Sequence, residues 1–186
     1  MIVSRKYEFV FVAVPRTATT TIERALAPHL GDKDLISFFD GRKHTGLEAI
    51  CARYPEASNY WSWAVLRNPW DQLVSQYTFW RTNLFPYSKS VEFAEWIRME
   101  DHLQLMKSAQ LVQGVDHLLK YERLVKDLQP VLDRFDIPLL ASSLARSNSL
   151  RTTRSYKKHY GQSEWNLVAE AYAEEIELGG YGRIKL

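Results

Sequence analysis

A chain of 186 residues, 46% apolar and 25% charged, has the make-up of one soluble globular domain and is short for two. Its net charge of +2 gives no argument for a nucleic-acid or membrane partner, and no apolar run approaches the ~18 residues of a membrane span. Cys51 is the only cysteine, so an internal disulfide is excluded and the cysteine pattern gives no metal site. A charged N-terminus, where an export signal would be apolar, adds the expectation of a cytoplasmic protein.

Tyr7–Val14 is a nearly continuous apolar run closed by Pro15, the pattern of a strand buried on both faces in a parallel sheet. Thr17–Thr21 places hydroxyls at a turn, and Ile22–Leu30 follows as a helix with Ile22, Ala25 and Leu26 on one face. Leu35–Phe39 reads as a second short strand. The polar turn Asp40-Gly41-Arg42-Lys43-His44 leads from it to a helix over Gly46–Tyr54, capped by Thr45 and closed before Pro55. Trp61–Leu66 is another apolar strand. Pro69 suits the first turn of a helix reaching about Arg81, with Leu73, Val74, Tyr77 and Trp80 at helical spacing. Ser90–Met99 and Asp101–Gln113 predict helices, Val115–Tyr121 a core strand, and Glu122–Phe135 and Glu164–Leu178 two further helices. Strands interleaved with helices predict a single α/β domain over residues 1–186, with a central parallel sheet flanked by helices.

The chemistry begins at Val14-Pro15-Arg16-Thr17-Ala18-Thr19-Thr20-Thr21-Ile22. Backbone N–H groups at a helix start bind an anion without special side chains. Four threonines add hydroxyls, and Arg16 adds a permanent, fork-shaped cation suited to phosphate or sulfate. The nucleoside-triphosphate loop G-x-x-x-x-G-K-[ST] is not matched, since its glycines and lysine are missing. On its own the segment reads equally well as the Thr-rich start of an ordinary helix. A second piece, Arg67-Asn68-Pro69-Trp70-Asp71-Gln72-Leu73-Val74-Ser75, puts an arginine at a strand end and a serine two turns into the next helix. Such a pair can hold one phosphate from two sides. Between Asp136 and Glu164 no acidic residue occurs, whereas Arg146, Arg151, Arg154, Lys157 and Lys158 all do. This is the composition of a solvated basic loop or of a clamp for an anion.

Taken together, these segments resemble the sulfotransferases that use 3′-phosphoadenosine 5′-phosphosulfate (PAPS), in particular the branch of carbohydrate sulfotransferases and their bacterial relatives. Pro15–Thr20 resembles the family's P-[KR]-T-x-[ST]-[ST], which binds the 5′-phosphosulfate. Arg67–Tyr77 resembles R-[ND]-P-x-[DE]-R-L-x-S-x-Y, whose Arg and Ser bind the 3′-phosphate. Lys43-His44, Lys120-Tyr121-Glu122-Arg123-Leu124 and the ending from Tyr160 through Ile176 to Tyr181 are similar to further family segments. The likeness spans roughly Phe9 to Tyr181. Position 16 is Arg where much of the family has Lys, and Ala18 stands where the family loop carries glycine.

The resemblance implies a P-loop-like nucleotide-binding fold, PAPS as co-substrate, 3′-phosphoadenosine 5′-phosphate (PAP) as product, and no metal. It implies that Arg16, Thr17, Ala18, Thr19, Thr20 and Thr21 hold the 5′ end, that Arg67 and Ser75 hold the 3′-phosphate, and that Arg151, Thr152, Thr153 and Tyr156 close over the nucleotide. His44 matches the catalytic base of the carbohydrate branch, and its imidazole titrates in the right range. Lys43 is assigned beside it, to orient an acceptor hydroxyl on a saccharide. Glu122 reads as a structural carboxylate, and Glu48, Asp71 and Glu95 as solvated helix faces. Trp61, Trp63, Trp70, Trp80 and Trp96 are expected mostly in the core, with a sugar platform among them as the alternative. A P-loop phosphotransferase and a non-catalytic nucleotide-binding module are the competing readings of the chain.

Overall fold

Phe9–Val12 (β2) is apolar and buried at every position, so it needs a strand on each side and a layer on each face. Ile2–Ser4 (β1) lies antiparallel along one edge, with Val3 opposite Val10, and Trp61–Leu66 (β4) lies parallel along the other, with Phe11 opposite Trp63. Leu35–Ile36 (β3) pairs with β1 and His117–Lys120 (β5) with β4, giving the order β3-β1-β2-β4-β5. These elements belong to a computed structural model that describes residues 1–36, 43–84, 91–99, 102–103, 107–146, 155–182 and 186. The α/β class and the central sheet follow the sequence expectation: the sheet is mostly parallel, and β1 alone runs against its two neighbours. A tight turn over residues 5–8, with Glu8 at φ 54°, joins β1 to β2, and so short a connection permits only an antiparallel pair.

The chain divides into two units, Met1–Leu66 with Ser108–Asn148, and Arg67–Lys107 with Ser149–Leu186. The first contains the sheet. Phe9, Phe11, Trp63, Val65 and Leu119 face a layer containing Ile22 and Leu26 of helix Thr19–Leu26 (α1) and Leu128, Val131 and Leu132 of helix Leu124–Arg134. Val10, Val12, Ala64 and Leu66 face the other way, toward Ile50 of helix Leu47–Arg53 (α2) and Val112. Alternate side chains of the same strands thus enter opposite layers, which is why the strands read as unbroken apolar runs.

The second unit is helical around an aromatic core. Helix Pro69–Phe79 (α3) contributes Trp70, Leu73, Val74 and Tyr77, and Gln162–Ala171 contributes Trp165 and Val168. Trp70 and Trp165 stack with centroids 4.5 Å apart, and Tyr160 donates its hydroxyl to the Trp70 carbonyl at 2.9 Å.

Several helix boundaries differ from the sequence expectation. The first helix begins at Thr19, not Ile22, and gives way to a 3₁₀ turn over Ala27–His29 where Pro28 cannot continue it. Gly46, not Thr45, caps α2. The helix expected over Ser90–Met99 is reduced to Phe93–Trp96, and residues 109–113 of the one expected over Asp101–Gln113 form turns. The final helix is broken at Tyr172, whose buried ring directs its hydroxyl to the Leu103 carbonyl at 2.6 Å. No helix among the described residues is long and apolar enough to cross a membrane.

Candidate active site

Residues 13–18 carry the chain from β2 into α1. Arg16 (φ 59°) and Ala18 (φ 66°, ψ 18°) both take the left-handed conformation, which costs roughly 1–2 kcal/mol for a residue with a Cβ. Two buried hydroxyls hold the loop in that shape: Thr17 Oγ1 and Thr19 Oγ1 donate to the Val14 carbonyl at 2.9 and 2.8 Å. Strain sustained by its surroundings is what a loop shaped for a ligand displays. The hydrogens of these two hydroxyls are directed into the loop, so Thr17 and Thr19 have backbone N–H groups to offer an anion in their place. Ala18, at the capping position, supplies no side-chain cap to α1, and the first turn of that helix carries no acidic residue. The positive helix end is therefore not neutralised by a side chain of its own cap or first turn.

His44 sits beside this loop. Its Nδ1 lies 2.8 Å from the carbonyl of Ala13, at the end of β2. A carbonyl only accepts, so Nδ1 carries the proton and the neutral ring keeps its lone pair on Nε2. Burial is the largest influence on the ring and pushes its pKa below the ordinary histidine value; the Ala13 bond opposes this and the Lys43 charge adds to it. This favours the neutral ring, with Nε2 free of a proton, the state a general base needs.

Lys43 is drawn to the helix. Its Nζ donates to Thr20 Oγ1 at 2.6 Å and pairs with Glu23 Oε2 at 3.1 Å, while Glu23 Oε1 receives the Met1 ammonium at 2.8 Å. The structure thus ties the Lys43 charge to the first turns of α1. Glu23 was not singled out from sequence. The signal for it was present: Thr20 and Glu23 are three apart and share one side of a helix.

In the second unit, Arg67 and Asp71 form a buried pair, with side chains 5% and 8% exposed. Both Nε and Nη2 of Arg67 donate to Asp71 Oδ2, at 2.8 and 2.7 Å. This corrects the reading of Asp71 as a solvated helix residue: its carboxylate is the counterion of the arginine four residues earlier. Asn68 caps α3 by accepting from the Asp71 N–H at 3.2 Å, and its Nδ2 approaches the Tyr156 hydroxyl at 3.4 Å. Ser75 follows Asp71 by four residues and is half-buried on the same side of α3. Tyr156 lies parallel to Trp165, with centroids 6.4 Å apart and 9° between planes. Arg151, Thr152 and Thr153 lie outside the described residues.

Trp63, Trp70, Trp80 and Trp96 are buried, as expected of core residues, so none of them forms an exposed sugar platform. Trp61 is half-buried against His117 and Phe135 with the Arg134 guanidinium 4.8 Å from its ring. Glu122 and Glu48 are exposed, as is Glu95. Among the described residues no group of three or more His, Cys, Asp or Glu side chains is placed to hold a metal ion.

No family model and no curated relative matches the sequence. Among solved structures, the chain is similar to the crystal structure of mouse sulfotransferase SULT7A1 complexed with PAP, at 16% identity and a TM-score of 0.57, over 97% of this chain and 88% of that one. What the two have in common is the α/β fold.

Proposed function

We propose that this chain is a PAPS-dependent sulfotransferase, one domain over residues 1–186, that moves a sulfuryl group to the hydroxyl of a carbohydrate acceptor in the cytoplasm. The observation that carries the reading is the His44–Ala13 hydrogen bond. It sets a neutral imidazole, with Nε2 as its lone-pair nitrogen, beside an anion-ready helix start at the end of β2. The two motifs around Arg16 and Arg67 support it, as does the fold held in common with a sulfotransferase crystallised with PAP.

In this reading Arg16 and the N–H groups of Thr17, Ala18, Thr19, Thr20 and Thr21 hold the 5′-phosphosulfate. Arg67 and Ser75 hold the 3′-phosphate that separates PAPS from other adenine nucleotides. Arg151, Thr152, Thr153 and Tyr156 close over the nucleotide. His44 Nε2 removes the acceptor hydroxyl proton as that oxygen bonds to sulfur. The bond from sulfur to the bridging oxygen breaks, and PAP leaves with its electron pair on the 5′-phosphate. Positioning and charge stabilisation supply the rate, as in phosphoryl transfer. Arg16 stabilises the developing charge without giving up a proton, since a guanidinium stays protonated.

The test is transfer of labelled sulfate from PAPS across a panel of saccharide and non-saccharide hydroxyls, with wild type and His44→Ala. Wild type labels a saccharide, and the variant falls by ~10²-fold or more while PAP affinity holds. Absence of label on every acceptor contradicts the function. Near-normal turnover in the variant removes His44 as the base.

A further inference from the structure

We propose that Glu23 is a positioning residue for the sulfuryl donor: its carboxylate holds the Lys43 ammonium against Thr20, at the first turn of α1. The inference rests on the sulfotransferase reading above and adds to it a residue that neither motif contains.

Lys43 lies in no helix or strand, so the backbone does little to fix its long side chain. Two contacts do that work, Nζ to Thr20 Oγ1 at 2.6 Å and Nζ to Glu23 Oε2 at 3.1 Å. Thr20 and Glu23 are three residues apart on α1, which makes them neighbours on one helix side and gives the ammonium a two-point seat. The seat is sheltered, with the Lys43 side chain 23% exposed and that of Glu23 12%. An ammonium has three N–H donors, and these contacts engage two of them. Because Thr20 Oγ1 accepts from Lys43, its own hydrogen points elsewhere, and the hydroxyl becomes a directed donor.

The placement also addresses the arginine at position 16. Arg16 supplies charge but does not release a proton, whereas an amine can do both. Lys43 therefore brings to the start of α1 the chemistry that the loop itself lacks, and Glu23 keeps it there. A bare carboxylate on α1 would repel an anionic donor. Here the Lys43 ammonium neutralises it, so Glu23 acts on the donor through Lys43.

The experiment is a double-mutant cycle of Glu23→Gln and Lys43→Met, reading kcat for sulfuryl transfer together with PAP affinity by calorimetry. Glu23→Gln lowers kcat about tenfold with PAP affinity within about twofold, and it has no further effect once Lys43 is Met. Glu23→Asp, which keeps the charge but draws it back, falls between wild type and Glu23→Gln and serves equally if the glutamine variant does not fold. Normal kcat in both Glu23 variants overturns the inference. So does an unchanged tenfold loss in the Lys43→Met background, which is what a role through Met1 or through helix stability alone produces. A parallel loss of kcat and PAP affinity overturns it as well. A wild type that neither binds PAP nor transfers sulfate removes the enzymatic reading, and this inference with it.

Discussion

Replacing Asp71 by Asn tests whether the Arg67 site is built as described. The pair is buried on both sides, at 5% and 8% exposure, and one carboxylate oxygen receives two guanidinium N–H groups at 2.8 and 2.7 Å. Removing one member of such a pair leaves a buried charge without its counterion, a loss of ~3–5 kcal/mol. Asparagine keeps an acceptor of nearly the same shape, so the lower end, ~3 kcal/mol, is the expected value. For a chain of this size each kcal/mol moves the melting temperature by roughly 2–4 °C, so the variant should melt about 6–12 °C lower. Urea unfolding followed by tryptophan fluorescence gives the free energy, and calorimetry gives the melting temperature. Replacing both partners, Arg67→Met with Asp71→Leu, should restore most of the stability while abolishing preference for a 3′-phosphate. An Asp71→Asn protein within 1 kcal/mol of wild type would refute the claim that Asp71 is the counterion Arg67 depends on.

Three further outcomes follow from the same geometry. Asp34 accepts from Ser4 Oγ and from the N–H groups of Arg5, Lys6 and Gly31, and although burial raises its pKa, those bonds outweigh burial and hold it below the ordinary value. A depressed carboxyl pKa contributes stability above the unfolded value of ~3.9 that is lost as pH falls through the folded one. The urea midpoint of Asp34→Asn should therefore lie below wild type at pH 7 and change less between pH 5 and pH 2. His44 is depressed by burial, so turnover should rise with pH along a limb lying below ~6.5 and be level above it; a limb above 7 would exclude a buried neutral base. Ala18→Gly should relieve the left-handed strain at φ 66° and raise stability by ~0.5–1 kcal/mol, whereas Ala18→Val should lower it; equal stabilities would show that the loop is unstrained.

The sheet was legible where the chain is apolar without interruption. Phe9–Val12 and Trp61–Leu66 are buried on both faces, and their runs say so. β1 escaped because Ile2-Val3-Ser4 is too short to show a period, and with it went the two antiparallel pairings of the sheet. The final helix breaks where the Tyr172 hydroxyl reaches Leu103, a long-range contact that local propensity does not encode. Arg16, Lys43 and His44 in the first unit, and Arg67 and Ser75 in the second, were visible as residue types at chemically meaningful spacings. Their counterions were harder to see. Glu23 and Asp71 look like ordinary surface charges of amphipathic helices until the fold brings Lys43 to one and buries the other with Arg67.

The most direct test of the central claim needs no acceptor. Purified protein is melted alone, with PAP, and with ATP and Mg²⁺, each ligand at a matched concentration. PAP at a hundred times its dissociation constant should add ~2.7 kcal/mol and raise the melting temperature by about 5–11 °C, with no comparable shift from ATP and Mg²⁺. Stabilisation by ATP and Mg²⁺ with none by PAP would contradict the sulfotransferase assignment and point to a phosphotransferase.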